Sequence, residues 1–123
     1  MNREKINFGK EGEEIAAEYL KKKGYKIIER NYRSRLGEID IVALHKAVTV
    51  FVEVKARSGS TFGLPEDAVD KNKQRQMIRV ALGYIKHRRL PEGRFRFDVV
   101  GVSFCEGRPA VKLITDAFQV ENG

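Results

Sequence analysis

Two neighbouring apolar segments of the chain have charged residues inside them, and these charges constrain the fold more than any other feature. The first segment, residues 37–43, contains Asp40, and the second, residues 50–56, contains Glu53 and Lys55. Their valines and isoleucines favour β-strands, and strands this apolar are expected near the centre of a sheet. Removing a charge from water is costly, so aspartate, glutamate and lysine are seldom buried without a partner. The two strands must therefore bring their charges together or leave them in water.

Strand alternation predicts which of these side chains share a face. Glu53 and Lys55 are two residues apart and should point to the same side of their strand. In the first segment, alternation places Ile39 and Ile41 on the face opposite Asp40. If the two strands pair as a hairpin, Asp40 comes to lie near Glu53 and Lys55.

Two interpretations of this cluster remain open from the pattern alone. In one, the face is solvated and the charges form ordinary cross-strand ion pairs. In the other, Asp40 and Glu53 hold Mg²⁺ or Mn²⁺, which prefer oxygen ligands, with the Val54 carbonyl as a further candidate ligand. Lys55 could then orient a water molecule or stabilise negative charge on a phosphate. Metal-assisted phosphodiester cleavage can use this arrangement.

The rest of the periodicity predicts one α/β domain over residues 1–123, with a central mixed sheet flanked by helices. Amphipathic stripes predict a first helix over residues 8–23, ended by Gly24, and a second helix over residues 67–88. Glycine, serine and proline in residues 58–65 predict a loop, and residues 106–109 predict a break between the last two strands. The predicted strands cover residues 25–30, 39–44, 48–56, 95–104 and 111–115.

The positive charge of the chain is concentrated in two windows. The chain has 24 lysines and arginines against 17 acids, for a net charge of +7. Residues 21–35 hold seven basic residues and one acid, and residues 71–96 hold nine and one. Such segregated charge favours a phosphate-backbone partner over a merely solvated helix face.

Composition also excludes several classes of protein. Leucine, isoleucine, valine and phenylalanine together make 35 of the 123 residues, too many for a disordered basic tail. The single cysteine, Cys105, cannot build an intramolecular disulfide or a thiolate metal site. No stretch has the length and apolarity of a membrane span, and no signal segment opens the chain. A cytoplasmic protein is therefore expected.

Other charged residues are expected to have structural roles. Asp98 lies in an apolar strand, and a hydrogen-bonding or ion-pairing role is favoured over catalysis. His45 and His87 have no metal-ligand spacing to each other and are expected on the surface.

Together, several short motifs identify a family resemblance that covers most of the chain. The sequence resembles the restriction-endonuclease-like PD-(D/E)xK superfamily and, within it, the YraN-like family of uncharacterised bacterial proteins. Holliday-junction resolvases look like more distant relatives. The matching segments are residues 9–13, 24–25, 31–33, 37–41, 51–55, 73–74, 96–100 and 116–118.

The resemblance implies a fold and a set of site residues. It implies an αβββαβ core, with Asp40 and Glu53 as metal ligands for Mg²⁺ or Mn²⁺ and Lys55 as the catalytic lysine. Glu13 matches the helical acid of the superfamily and would complete the metal site. Gly37 to Asp40 departs from a literal Pro-Asp, but the aspartate position itself is kept.

These observations lead to a main hypothesis and two alternatives. The main hypothesis is a divalent-metal-dependent nuclease that hydrolyses DNA, including branched recombination or repair intermediates. The alternatives are a nucleic-acid-binding module that does not cut and acts with a partner protein, and an interaction protein whose basic face binds an acidic protein. A homodimer is compatible with cleavage of two strands, although no residue demonstrates one. The predicted nucleic-acid-binding residues are Arg33, Arg35, Arg57, Lys71, Lys73 and Gln74.

Overall fold

The computed structural model describes residues 3–58, 69–90, 93–105 and 108–120, excluding the side chains of residues 3–8, 58 and 105. Within these ranges the secondary structure follows the predicted order, with two helices and five strands. The elements are α1 Arg3–Lys22, β1 Lys26–Ser34, β2 Gly37–His45, β3 Val48–Ser58, α2 Lys71–His87, β4 Phe95–Cys105 and β5 Arg108–Phe118.

The five strands form one mixed sheet in the order β1-β2-β3-β4-β5. β3 and β4 pair in parallel, and the other three neighbouring pairs are antiparallel. Parallel neighbours need a crossover connection, which contains α2. The predicted α/β class with a central mixed sheet and helices is therefore confirmed. The elements run αβββαβ, with β5 added at the edge beside β4.

Several predicted bounds of the helices are wrong. α1 begins at Arg3 rather than residue 8. The predicted start of α2 at residue 67, like the predicted loop from residue 59 onward, lies outside the described residues. The described helix begins only at Lys71, because Asp70 has an extended backbone and its carboxylate accepts a 2.8 Å hydrogen bond from the Lys73 N–H. Asp70 is therefore the N-cap of α2.

The predicted break before the last strand is also wrong at Arg108 and Pro109. Both residues belong to β5, where Pro109 is the register partner of Phe104 in β4. Proline cannot donate a backbone hydrogen bond, but β5 has a neighbour on one side only. The edge position removes the reason to expect a break there.

The sheet buries apolar side chains on both faces, one beneath each helix. The cluster beneath α2 includes Met77, Tyr84, Phe51 and Phe97. The cluster beneath α1 is built largely from small and β-branched residues. Within the described part of the chain, no helix has the apolar length that a membrane crossing requires. The helical members of the α1 cluster are Ala16, Ala17 and Leu20, and its sheet members include Ile41, Ala43, Val50, Val52, Val100 and Val102.

The predicted alternation of β2 fails at Ile39. Ile39 belongs to the cluster beneath α2, as does Val42, whereas Ile41 belongs to the cluster beneath α1. The change of face falls at Asp40, the position at which β2 separates from β3. The β2–β3 ladder begins at the hairpin turn and ends at the pair Ile41 and Val52.

Beyond the end of that ladder, the Asp40 side chain supplies the hydrogen-bond acceptor that the backbone of β2 no longer provides to β3. The Val54 N–H donates a 2.8 Å hydrogen bond to Oδ2 of Asp40. This bond satisfies a half-buried backbone N–H donor of β3. Without it, the donor would need a water molecule as its partner, because β2 no longer pairs with β3 here. This bond fixes where the Asp40 carboxylate lies.

The packing of α1 on β3 predicts opposite effects for two glycine substitutions in the same helix. A Cβ added at Gly12 would lie 2.7 Å from the Cβ of Ala56, whereas a Cβ at Gly9 would meet nothing within 4 Å. Alanine favours a helix over glycine by up to about 1 kcal/mol at either position. Overpacking costs about 1–3 kcal/mol and applies to Gly12 alone.

We therefore expect Gly9→Ala to hold or raise the free energy of unfolding and Gly12→Ala to lower it relative to Gly9→Ala by about 1–3 kcal/mol. Urea unfolding of both variants measures the difference. Equal stabilities would contradict the close packing of α1 against Ala56.

Candidate active site

The carboxyl groups of Asp40 and Glu53 meet where β2 separates from β3. Asp40 is half-buried and oriented by the Val54 N–H. Glu53 follows Val52, the last β3 residue paired with β2, and only 6% of its surface is exposed. The two carboxyl groups therefore meet across β2 and β3 just beyond their last paired residues, where simple strand alternation does not predict the side-chain positions.

The contact between the two acids changes the acidity of Glu53. Burial, the negative charge of Asp40 and a hydrogen bond between the two carboxyl groups raise the pKa of Glu53 to about 7. The positive charges of Lys73 and Lys55 act in the opposite direction. Two negative carboxylates in contact repel each other. Near pH 7 the pair therefore readily shares a proton or accepts a cation.

Two lysines from different elements flank Glu53. Lys55 Nζ lies 3.8 Å from Oε2 of Glu53, and Lys73 Nζ lies 3.6 Å from the same oxygen. Lys55 comes from β3 itself, and Lys73 comes from the first turn of α2. Because Asp70 caps that turn through the Lys73 N–H, the start of the helix fixes the backbone that carries Lys73. Both ammonium groups remain partly exposed to solvent.

Glu13 approaches the pair from the other side of the sheet. It lies on α1 three residues before Ala16, one of the buried helix residues. Burial and the charge of Asp40 raise the pKa of Glu13, and Arg30 and a hydrogen bond with Asn31 lower it. Glu13 and Asp40 thus interact electrostatically.

The acids do not form a complete protein metal site. Among the described residues, no three Asp, Glu, His or Cys side chains come close enough together to hold a metal ion. Asp40 and Glu53 supply two hard oxygen donors whose mutual repulsion a divalent cation would relieve. Magnesium usually keeps several water ligands, so two carboxylates fit its coordination habit. Asp40 and Glu53 therefore fit an open magnesium site in which water molecules supply the remaining ligands.

The predicted nucleic-acid-binding residues lie in different places. Lys73 reaches the acid pair, whereas Gln74 donates from Nε2 to the Val69 carbonyl at 2.9 Å and so holds the chain before α2. Arg57 is exposed near the end of β3, and Lys71 is the first residue of α2. Of this set, Lys73 is the residue that directly contacts the acid pair.

Arg33 and Arg35 lie beside the C-terminal end of α2, near His87. They line an open groove with Tyr32, Leu36 and His87. Arg33 forms an exposed ion pair with Glu38, with Nε and Oε2 3.3 Å apart. The two arginines thus form a surface separate from the side chains that contact Glu53.

Asp98 belongs to a separate structural network. Its fully buried carboxylate accepts hydrogen bonds from the Tyr25 hydroxyl at 2.7 Å, from Arg96 Nε at 2.9 Å and from the Asp116 N–H at 2.9 Å. These bonds agree with the structural role favoured for Asp98. His45 is also part of this network, a role that no motif in the sequence indicated. Its ring stacks on Tyr25 with centroids 4.2 Å apart, and Nδ1 lies 3.0 Å from Arg96.

The raised pKa of Glu53 makes stability depend on pH. Between about pH 4.5 and pH 7 the folded state holds a proton that the unfolded state releases, so the free energy of unfolding falls as pH rises through this window. A shift of this size corresponds to at most about 3–4 kcal/mol. Glu53→Gln removes the titrating group and should flatten this part of the profile.

Urea unfolding at pH 5 and pH 8 tests this expectation. Glu38→Gln is the matched control, because Glu38 is an exposed glutamate on the neighbouring strand. The control should keep the pH dependence of the unsubstituted protein. If Glu53→Gln also kept this pH dependence, the contact between the Glu53 and Asp40 carboxyl groups would be contradicted.

Comparison with known proteins identifies the relatives of this chain. Residues 12–102 match the model of a family described as "Uncharacterised protein family UPF0102". A "UPF0102 protein" of Syntrophotalea carbinolica is 44% identical over 121 residues, covering 98% of each chain. One from Syntrophus aciditrophicus is 45% identical over 96% of this chain and 93% of its own. Another from Alkaliphilus metalliredigens is 48% identical over 91% of this chain and 97% of its own.

Proposed function

The chain belongs to the uncharacterised protein family UPF0102, and we propose that it is a divalent-metal-dependent nuclease of the PD-(D/E)xK type. The proposed reaction is hydrolysis of phosphodiester bonds in DNA, including branched recombination or repair intermediates. One observation carries the proposal: the carboxyl groups of Asp40 and Glu53 lie together, Asp40 helps to raise the pKa of Glu53, and two lysines lie next to Glu53.

The acid pair supplies the binding groups for the metal. Asp40 and Glu53 would hold Mg²⁺ or Mn²⁺ through carboxylate oxygens, with water completing the coordination. When bound, such a cation activates water as a nucleophile and neutralises charge on the scissile phosphate. Its positive charge would also favour the ionised form of Glu53, which burial and Asp40 otherwise oppose.

The protein's own groups have distinct tasks in this proposal. The Val54 N–H holds Asp40 in one orientation, so that the carboxylate is positioned before substrate arrives. Lys55 is partly exposed and can donate a hydrogen bond to the attacking water or to a phosphate oxygen. Lys73 keeps a positive charge next to Glu53 and offsets part of the repulsion between the acids.

A second candidate function has support from the same contacts. Lys55 and Lys73 already compensate Glu53, and the Val54 N–H already satisfies Asp40. A charge cluster balanced in this way can be purely structural, as it would be in a nucleic-acid-binding module that does not cut. The two candidates differ in whether a divalent cation binds and whether DNA is cleaved.

Cleavage assays test the nuclease directly. Linear, flapped and four-way DNA are incubated with Mg²⁺, Mn²⁺ or EDTA. We expect cleavage only with a divalent cation, and we expect Asp40→Asn and Lys55→Met each to lower the rate by about 10²-fold or more, since each removes a group acting on developing charge. Lys112→Ala is the control, because Lys112 is an exposed lysine of β5. Cleavage in EDTA, or at unchanged rate in both site variants, would refute the mechanism.

Metal binding has a readout that does not depend on cleavage. At ten times its dissociation constant, a cation that binds only the folded state raises the free energy of unfolding by about 1.4 kcal/mol. For a domain of this size we expect Mn²⁺ to raise Tm by roughly 5 °C at pH 8. Asp40→Asn and Glu53→Gln should abolish the rise, and Glu38→Gln should retain it. No rise in the unsubstituted protein would favour the non-cleaving module.

A further inference from the structure

One flank of α2 carries a row of basic residues beside the end of β5. Lys71, Arg75 and Arg79 are spaced four residues apart and therefore lie along one side of the helix. Together with residues that follow β5, they line an open groove of about 430 Å³. We call this the α2–β5 groove. Its remaining lining residues are Gln74, Ile78, Gln119 and Val120.

Arg75 and Arg79 have no acidic partner among the described residues, in contrast to four other arginines of the structure. The described hydrogen bond of the Arg75 side chain goes from Nη1 to the amide oxygen of Asn72 at 3.2 Å. Other arginines donate to carboxylates at short distances. These pairs are Arg30 with Glu14, Arg33 with Glu38, Arg88 with Glu29 and Arg96 with Asp98.

The same difference distinguishes the α2–β5 groove from the acid-paired residues of the first basic window. In residues 21–35, Lys21, Arg30 and Arg33 are each already paired with an acid. An anion that binds there must compete with those carboxylates. In the α2–β5 groove, Arg75 and Arg79 retain their positive charge for a ligand.

The groove also lies close to the acid pair along the helix. Lys71 precedes Lys73 by two residues, and Lys73 contacts Glu53. The backbone from Lys71 to Arg79 rises about 12 Å, at 1.5 Å per residue. One strand of duplex DNA presents a phosphate roughly every 3.4 Å of axis, so the row matches the span of about three to four phosphates.

We propose that the α2–β5 groove binds the phosphate backbone of one nucleic-acid strand, with Arg75 and Arg79 as the principal phosphate contacts. The proposal rests on the proposed function for its biological setting, because it places the strand that leads to Asp40 and Glu53 along this flank of α2. Its physical basis is independent of cleavage. Gln74 and Gln119 supply amide groups to the same groove, and Ile78 and Val120 contribute apolar surface.

Binding measured without cleavage tests the groove. Fluorescence anisotropy of a labelled 20-base-pair DNA duplex in EDTA gives the dissociation constant over a range of salt concentrations. Each phosphate contact contributes about 0.9 to the slope of log affinity against log salt. We expect Arg75→Gln with Arg79→Gln to lower the slope by about two and to weaken binding roughly tenfold at low salt, for unrelated DNA sequences alike.

The matched control removes the same charge from two arginines that already have an acidic partner. Arg30→Gln with Arg88→Gln should leave the slope nearly unchanged, because Arg30 is paired with Glu14 and Arg88 with Glu29. Equal losses in the two double variants, or a loss in the control alone, would overturn the proposal. A poly-glutamate peptide of equal charge that displaced the duplex as well as unlabelled DNA does would overturn it in favour of an acidic protein partner.

The outcome is separable from that of the nuclease proposal. Groove-dependent DNA binding without any metal-dependent cleavage would support the groove and refute the nuclease. Metal-dependent cleavage with unchanged DNA affinity in the Arg75 and Arg79 double variant would overturn the groove and leave the nuclease standing. Far-ultraviolet circular dichroism of each variant establishes that a lost affinity is not a lost fold.

Discussion

The contact between Asp40 and Glu53 is the interaction on which the rest of the site depends. Two carboxyl groups share a largely buried position, and their repulsion must be offset by a proton, by ammonium groups or by a cation. The structure surrounds Glu53 with two lysines and fixes Asp40 with a backbone N–H. Without these partners, the carboxyl groups would favour opening of the two strands to water.

The sheet brings these groups together by interrupting its own regularity. The β2–β3 ladder ends at Ile41 and Val52, and β2 changes the face it presents to the helices at Asp40. A fully paired hairpin would place a backbone carbonyl where the Asp40 carboxylate now accepts the Val54 N–H. The end of the ladder therefore gives Asp40 its orientation, and the two helices cover the apolar residues on either side.

The sequence predicted the parts of this arrangement that follow from local patterns. Element order, the mixed sheet and the approach of Asp40 to Glu53 all follow from apolar periodicity and from charges inside apolar strands. The position of Ile39 could not be predicted, because alternation assumes a regular strand and the ladder ends beside it. Nor could the distance from Lys73 to Glu53, which depends on where the Asp70 cap starts α2 and on how that helix lies over the sheet.

The net charge of +7 describes this protein poorly, because it does not show which charges are already paired within the fold. Arg30 and Arg33 of the first basic window are paired with carboxylates, so their fields are largely cancelled at short range. Lys55 and Lys73 are occupied by Glu53. The field that extends into solvent therefore arises mainly from basic residues without an acidic partner among the described residues, and Arg75 and Arg79 are two of them on the same helix flank. An anionic ligand would be steered by this unbalanced charge, and the acid pair would act only once the ligand had arrived.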